Sequence, residues 1–174
     1  MALFDKLFRR AADPRDALRP LWHAVVARAR QEHWYMEGGV ADTLDGRFDM
    51  VALVLALVLL RIEEAPEHAR DAVLLTEIFV DDMDGQMRQI GFGDLIVGKQ
   101  IGQIMSALGG RLGAYRAGTD DAAAMEAALL RNLYRGEAPA PGAMAHVLEQ
   151  TAALRGALAA MPVAALVAAE RLPA

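Results

Sequence analysis

The sequence predicts an all-α protein, a single compact multi-helix domain around a central apolar helix near residues 47–62. Its 174 residues are 55% apolar, which is enough to bury one core. Residues 50–60 form an uninterrupted apolar run in which the helix formers Ala and Leu recur, so a strand is disfavoured there. Apolar residues in the flanking segments recur at steps of three and four, the period of amphipathic helices.

The N-terminal part predicts two helical segments. Asp13 and Pro14 are a favourable N-cap and first helical residue, and Asp16 adds negative charge to the first turn. Pro20 interrupts or restarts this helix, because proline has no amide hydrogen to donate. The amphipathic helix that follows ends near Trp34, and its apolar residues are Leu21, Trp22, Val25, Val26 and Ala29.

The apolar run 50–60 is too short to cross a membrane. It lies between Asp49 and Arg61, whereas a spanning helix needs about 20 apolar residues. A helix that is apolar on all sides belongs in the centre of a helical domain. Pro66 then opens another helix, whose apolar residues are Val73, Leu74, Leu75, Ile78 and Phe79.

A long amphipathic helix is predicted from Asp94 to about Gly118. Gly91 and Gly93 form a turn before it, and the Asp94 carboxylate is a natural N-cap. We expect one apolar stripe to face the core, comprising Ile101, Ile104, Met105, Leu108, Leu112 and Tyr115. Three polar residues lie off that stripe and can reach neighbours or a binding partner, namely Lys99, Gln103 and Arg111.

The C-terminal part predicts three more helices. One begins at a cap supplied by Thr119, Asp120 and Asp121 and stops at Gly136. Two Ala-rich helices, 143–160 and 163–172, follow and are separated at Pro162. The domain organisation is therefore an N-terminal arm (1–12), a helical core (13–136), a linker (137–142) and a C-terminal extension that packs on the core as a lineage-specific cap (143–174).

The residue types exclude most catalytic and metal chemistry. The chain has no cysteine, and its four histidines lack the spacing of a zinc motif. A calcium loop at 81–85 fails, because Gly85 follows the acids too early and no bidentate glutamate follows. Asp42 and Asp45 fit a turn or N-cap better than an acid-base pair, since Gly46 permits a tight bend. We therefore expect no enzyme activity, no metal and no cofactor.

Charge is unevenly distributed along the chain. The formal net charge of -5 makes the whole chain a poor polyanion binder, so no DNA partner is expected. Residues 1–35 hold seven basic and four acidic residues, whereas residues 61–94 hold three basic and nine acidic ones. The N-terminal arm combines Leu3, Phe4, Leu7 and Phe8 with Lys6, Arg9 and Arg10. This basic amphipathic arm either docks onto the protein body or faces anionic lipid, ribosomal RNA or an acidic partner.

Four arginines lie beside apolar segments, namely Arg47, Arg88, Arg111 and Arg131. Their available carboxylate partners are Asp42, Asp45, Asp82, Asp84 and Asp94. An internal salt-bridge network that fixes helix order is the favoured interpretation. The alternative is a polar rim around an apolar groove that takes a partner helix. Core packing is favoured over a role in such a groove for Met36, Met83, Met87 and Met105.

An ordered set of motifs resembles the ubiquinol-cytochrome c chaperone family, assembly factors of the respiratory cytochrome bc complex. The set is ADTLDGRFDM before an apolar helix, then DMDGQMRQIGFGDLIVGKQIGQIM, GGRLGAYRAG and LLRNLY. The resemblance spans roughly residues 18–135. It implies a helical, non-enzymatic chaperone that binds newly made cytochrome b during biogenesis of ubiquinol-cytochrome c reductase. The matching motif positions are Asp42, Thr43, Asp45, Gly46, Arg47, Asp82, Arg88, Gly93, Asp94, Gly110, Arg111, Tyr115, Arg131 and Asn132.

The resemblance also suggests where partners bind. Candidate contact residues for a client or partner are Asp42, Thr43, Asp45, Arg47, Asp82, Arg88, Asp94, Lys99, Arg111, Tyr115, Arg131 and Asn132. Further partners are the ribosome and a small second chaperone, as in the mitochondrial branch of the family. We expect a cytoplasmic location, with peripheral contact at the inner face of the membrane if the arm binds lipid. The alternative function is a peripheral membrane-binding or scaffold protein that acts through this arm.

Overall fold

The structure is a computed structural model that describes residues 13–89 and 94–173, and the side chains of 86–101 lie outside the description. Short 3-10 helices span Pro14–Leu18 and Pro66–His68. The α-helices are α1 (Arg19–Ala29), α2 (His33–Met36), α3 (Leu44–Glu63), α4 (Ala69–Gln89), α5 (Asp94–Ala117), α6 (Ala122–Asn132), α7 (Ala143–Ala159) and α8 (Val163–Val167). No strand occurs in the described ranges, which confirms the all-α fold.

Helix α3 is the centre of the domain. Every residue from 50 to 59 is buried, and α1, α4, α5, α7 and α8 all pack against this helix. The helix begins a few residues before the predicted start, because the Thr43 Oγ1 atom accepts a hydrogen bond from the Gly46 amide at 3.1 Å. Within the described residues, no helix is both long and apolar enough to span a membrane.

The N-terminal caps form as predicted. Asp13 caps the first 3-10 helix by accepting a hydrogen bond from the Arg15 amide at 2.9 Å. The chain restarts as α1 at Arg19, with Pro20 in its first turn. The 3-10 helix packs on α4, and Trp22 of α1 meets Phe79 of α4 edge to face at 5.9 Å between ring centroids. The start of the described chain is therefore fixed beside α4.

The long helix α5 has the predicted bounds but not the whole predicted stripe. Leu108 and Tyr115 are buried, and Ile104 and Leu112 pack against the core. Met105 is 41% exposed, so its predicted core position is wrong. At roughly 100° per residue, Met105 lies at the edge of the stripe, about 100° from Ile104. The side chains of Ile101, Lys99 and Asp94 lie outside the description, as do the residues of the predicted glycine turn at 91 and 93.

The C-terminal helices close the core from one side. Val147, Leu154 and Leu158 of α7, with Val163 and Leu166 of α8, belong to the main apolar cluster. Arg61 of α3 donates hydrogen bonds to the carbonyls of Leu158 at 3.0 Å and Met161 at 2.6 Å, at the end of α7. The predicted length of the last helix is wrong, because α8 ends at Val167. A short Ala-rich segment has little intrinsic helicity beyond the turn that the core holds.

Two distant histidines meet between α2 and α7. The Nδ1 atom of His33 lies 3.1 Å from the Nε2 atom of His146. Burial, His146 and Arg28 lower the pKa of His33 below its ordinary value of 6.5, and Glu37 opposes them. Because the fold favours neutral His33, this contribution to stability is complete above about pH 6.5 and is lost as the pH falls through the lowered pKa.

We therefore expect thermal stability to fall between pH 7.5 and pH 5.5, and His33→Gln to reduce that fall. Thermal melting followed by circular dichroism at the two pH values measures the effect. His23→Gln is the matched control, because it makes the same change at a histidine that is exposed on α1. An identical pH dependence in wild type and His33→Gln would contradict the assignment.

Candidate functional site

A buried carboxylate joins α3 to α5 and to the end of α6. Asp49 is fully buried. Its Oδ1 atom accepts a hydrogen bond from Arg111 Nη2 at 2.6 Å, and its Oδ2 atom accepts one from Arg135 Nε at 2.8 Å. Arg135 also donates to Asp45 at 2.8 Å, at the exposed edge of the cluster. Burial raises the pKa of Asp49, and the two guanidinium groups oppose that rise.

Arg111 is packed as well as paired. Its guanidinium carbon lies 5.4 Å from the centroid of the Phe48 ring, and its side chain is only 14% exposed. One helical turn later, Tyr115 is fully buried, and burial raises the pKa of its hydroxyl. In the described part of the chain this hydroxyl has no hydrogen-bond partner. The ion pair between Arg111 and Asp49 therefore fixes α5 against α3. We use the name buried ion cluster for Asp45, Asp49, Arg111 and Arg135.

Several motif residues shape the start of α3. Arg47 pairs with Asp42 at 2.6 Å on the exposed surface, and Thr43 caps the helix. A Cβ atom on Gly46 would lie 2.0 Å from the carbonyl oxygen of Ala41, so only glycine permits this close approach. These contacts explain part of the ADTLDGR motif as a helix start.

The structure brings together only some of the candidate contact residues. Asp42, Thr43, Asp45 and Arg47 lie at the start of α3, and Arg111 and Tyr115 reach the same end of the domain through α5. Arg131 is exposed, while Asp82 and Asn132 are half-buried. The side chains of Arg88, Asp94 and Lys99 lie outside the description. A role in client contact stays a prediction for all of these residues.

Sequence reasoning missed the true partner of Arg111. The expected carboxylates were Asp42, Asp45, Asp82, Asp84 and Asp94, whereas the structure pairs Arg111 with Asp49. The helical period did contain a signal. Arg111 follows Ile104 by seven residues, or about two turns, so it lies about 20° from Ile104 on the inward face of α5. Arg135 was also missed. It adopts the left-handed region with φ 55 just after α6, where it leaves the helix and reaches Asp49.

The opposite end of α3 borders an open groove of about 670 Å³ between α4 and α5. We call this the α4–α5 groove. Its apolar lining is Leu59, Ala72, Val73, Val80, Met105 and Leu112, and its polar lining is Arg15, Glu63, Thr76, Glu77 and Asp81. Val73 is 58% exposed and Met105 is 41% exposed, so the groove presents large apolar side chains to solvent.

The rim of this groove is mostly acidic. Arg15 pairs with Asp81 at 2.6 Å, and Arg116 pairs with Glu63. Glu77 is exposed and has no ion pair within the described ranges. The rim thus reflects the acidic middle of the sequence, although the position of the groove was not predicted.

The methionines divide between core and surface. Core packing is confirmed for Met83, which is buried on α4. The prediction of core packing is wrong for Met105, which lies in the groove, and for Met36, which is 71% exposed on α2. The Met87 side chain lies outside the description. Exposure depends on which helix face a neighbour covers, and residue type does not reveal this.

The described residues contain no group of three or more His, Cys, Asp or Glu side chains that could hold a metal ion. The described residues do present an open apolar groove with charged residues at its rim. Its chemistry is suited to recognition of another polypeptide.

Comparison with known proteins identifies the family. The family model described as "Ubiquinol-cytochrome C chaperone" matches residues 37–172, so the match includes α7 and α8, which the sequence analysis placed outside the resemblance and treated as lineage-specific. The crystal structure of the Cbp3 homolog from Brucella abortus is similar, with 32% identity, a TM-score of 0.78, and coverage of 97% of this chain and 93% of that one. No curated protein sequence matches the chain. With its all-α fold and its match over most of its length, the chain belongs to the ubiquinol-cytochrome c chaperone family.

Proposed function

We propose that this chain is a non-enzymatic assembly chaperone that holds newly made cytochrome b during biogenesis of ubiquinol-cytochrome c reductase. The α4–α5 groove receives an apolar helix of that client. The observation that carries this proposal is the groove itself, whose exposed Val73 and Met105 lie in a member of a chaperone family. Such a surface shields an apolar segment without any catalytic group.

The dimensions of the groove suit a client helix. Its α4 wall runs from Ala72 to Asp81, a rise of about 13 Å at 1.5 Å per residue, or two to three helical turns. An amphipathic helix binds such a groove through apolar side chains one turn apart. The flexible thioether of Met105 can adapt to different partner side chains.

The charge of the groove rim also influences which client helices bind. Asp81 and Glu63 are already paired with arginines, so Glu77 is the rim acid that favours a client segment with a basic residue beside its apolar stretch. Apolar burial supplies most of the affinity, whereas the charges guide orientation and association. A client helix flanked by acidic residues should bind more weakly.

The buried ion cluster supports the groove indirectly. Arg111 belongs to α5, the same helix that contributes Met105 and Leu112 to the groove wall. By tying α5 to Asp49, the cluster fixes this wall relative to α3. The motif residues therefore act chiefly as scaffold in this proposal, and the groove residues contact the client.

The proposed function also implies a cellular location for the protein. A chaperone that receives a client during its synthesis works in the cytoplasm, near the ribosome and the inner face of the membrane. A small second chaperone is a further candidate partner, and no DNA contact is proposed.

We expect Met105→Glu to reduce capture of cytochrome b by about tenfold, equivalent to about 1.4 kcal/mol of binding free energy. Met36→Glu is the matched control, because it makes the same change at an exposed site that does not line the groove. Both changes should alter the free energy of unfolding by no more than about 0.5 kcal/mol, as is usual at surfaces.

Tagged protein isolated from cells, with mass spectrometry of what copurifies, measures this capture. Thermal melting of each variant confirms that it is folded. Equal recovery of cytochrome b with both variants would refute the groove as the client site. Absence of cytochrome b from the wild-type preparation would refute the client assignment.

A further inference from the structure

We propose that residues 1–12, the N-terminal arm, dock in the α4–α5 groove of their own chain when no client is bound. The arm then occupies the same groove that the client helix binds. Docking itself can be tested without any client, and only its effect on capture rests on the proposed function.

The position of the chain start supports this inference. Arg15 lines the groove and pairs with both Asp13 and Asp81, at 2.7 and 2.6 Å. The 3-10 helix that contains Arg15 packs on α4. Asp13, the first described residue, therefore lies near the Asp81 end of the groove, and residues 1–12 directly precede it in the sequence. No long linker separates the arm from the site.

Residues 1–12 are enough to span the groove wall if they form a helix. Twelve helical residues span about 18 Å, compared with about 13 Å for the α4 wall from Ala72 to Asp81. Phe4 lies nine residues before Asp13, and Val73 lies eight residues before Asp81. A helical arm that runs parallel to α4 thus brings Phe4 level with Val73.

The chemistry of the two surfaces is complementary. The arm has an apolar i, i+4 pattern in which Leu3 is followed by Leu7 and Phe4 by Phe8. The groove offers exposed Val73 and Met105 to such a stripe. Burying these side chains removes apolar surface from water, which favours docking.

Charge complementarity points to the same arrangement. The arm carries the basic residues Lys6, Arg9 and Arg10 against one acid, Asp5. At the groove rim, Asp81 pairs with Arg15 and Glu63 pairs with Arg116. Glu77 has no ion pair in the part of the chain that the structure describes, so it is available to a basic side chain of the arm. Attraction between exposed charges is weakened by salt, and docking should therefore be weaker at high ionic strength.

Docking would have a regulatory consequence. An intramolecular segment competes with a client at a high effective concentration that does not depend on protein concentration. It covers apolar surface while the chaperone is empty and lowers the apparent affinity for weak ligands. A client helix that binds more strongly displaces the arm.

Paired cysteines test docking in the full chain, which has no cysteine of its own. We combine Phe4→Cys with Val73→Cys and, as a control, Phe4→Cys with Leu44→Cys. Leu44 is exposed but lies fifteen residues before Leu59 on α3, about 22 Å from the groove floor. A disulfide requires Cβ atoms about 4 Å apart, so it reports a specific contact.

At low protein concentration with oxidised glutathione, the Phe4 and Val73 pair should form an intramolecular disulfide at least ~tenfold faster than the control pair. Non-reducing electrophoresis and intact mass measure it. Adding Glu77→Lys should slow this reaction, whereas Glu67→Lys, at an exposed acid outside the groove, should not.

Three outcomes would overturn docking in the same chain. Equal rates for both pairs would show that the arm has no preferred site. Disulfide-linked dimers in place of monomers would assign the arm to a second copy. Flotation with anionic vesicles that depends on residues 1–12, together with no crosslinking in solution, would assign the arm to a membrane surface.

A separate measurement tests the regulatory role. Deleting residues 2–12 should raise capture of cytochrome b several-fold, because the competing segment is gone. If the disulfide forms but deletion leaves capture unchanged, the arm docks without regulating the chaperone, and that role is refuted. Capture by Met105→Glu in a chain that lacks residues 2–12 reports on the proposed function alone, because no arm competes there.

Discussion

Leu55→Asp should unfold the protein. Leu55 is fully buried near the middle of α3, where neighbouring residues on every side of the helix are buried too. A carboxylate placed there has no partner, and its burial costs several kcal/mol. Domains of this kind are stable by only about 5 to 15 kcal/mol, so this cost is a large fraction of the total.

Circular dichroism, thermal melting and soluble yield measure this effect. Leu55→Met is the matched control, since it nearly conserves volume and should cost less than about 1.5 kcal/mol. A soluble Leu55→Asp variant that melts like wild type would contradict the placement of α3 at the centre of the domain.

Asp49→Asn should destabilise the protein by about 3 to 5 kcal/mol, the usual cost of removing one partner from a buried ion pair. It leaves the guanidinium of Arg111 with no carboxylate at a site that is only 14% exposed. Asp45→Asn is the matched control, because it removes the exposed carboxylate that pairs with Arg135 in the same cluster. That exposed pair is worth about 0 to 1 kcal/mol.

Urea unfolding of the two variants measures the difference. Similar losses of stability in Asp49→Asn and Asp45→Asn would contradict the central role of Asp49. If the ion cluster holds the groove wall, Asp49→Asn should also reduce client capture, whereas Asp45→Asn should leave it near the wild-type level.

Local sequence signals predicted the buried run and the helix starts better than the helix ends, since α1 ends at Ala29 instead of near Trp34 and α6 ends at Asn132 instead of at Gly136. The run 50–60 has no charged residue, and a segment of that kind can only be stabilised by burial on all sides. Helix starts follow from single side chains, as at Asp13 and at Asp121, whose carboxylate accepts hydrogen bonds from the amides of Ala123 and Ala124. These contacts lie within three residues of each other, so the sequence contains them directly.

Tertiary features were harder to predict. Met105 satisfies the apolar period of α5, yet no neighbour covers its edge of the stripe. Arg111 could reach several carboxylates, and helix packing selected Asp49. The groove depends in the same way on the spacing of α4 and α5. Periodicity defines which faces are apolar, but only the packed structure shows which of them remain exposed.

If the α4–α5 groove holds newly made cytochrome b, photocrosslinking from Val73 detects that contact most directly. A photoreactive amino acid replaces Val73 in the full chain, and newly made proteins are labelled briefly before irradiation. We predict a labelled adduct with cytochrome b from Val73 and none from Leu44, an exposed apolar site outside the groove. An adduct from Leu44 without one from Val73, or adducts that exclude cytochrome b at both sites, would contradict the account.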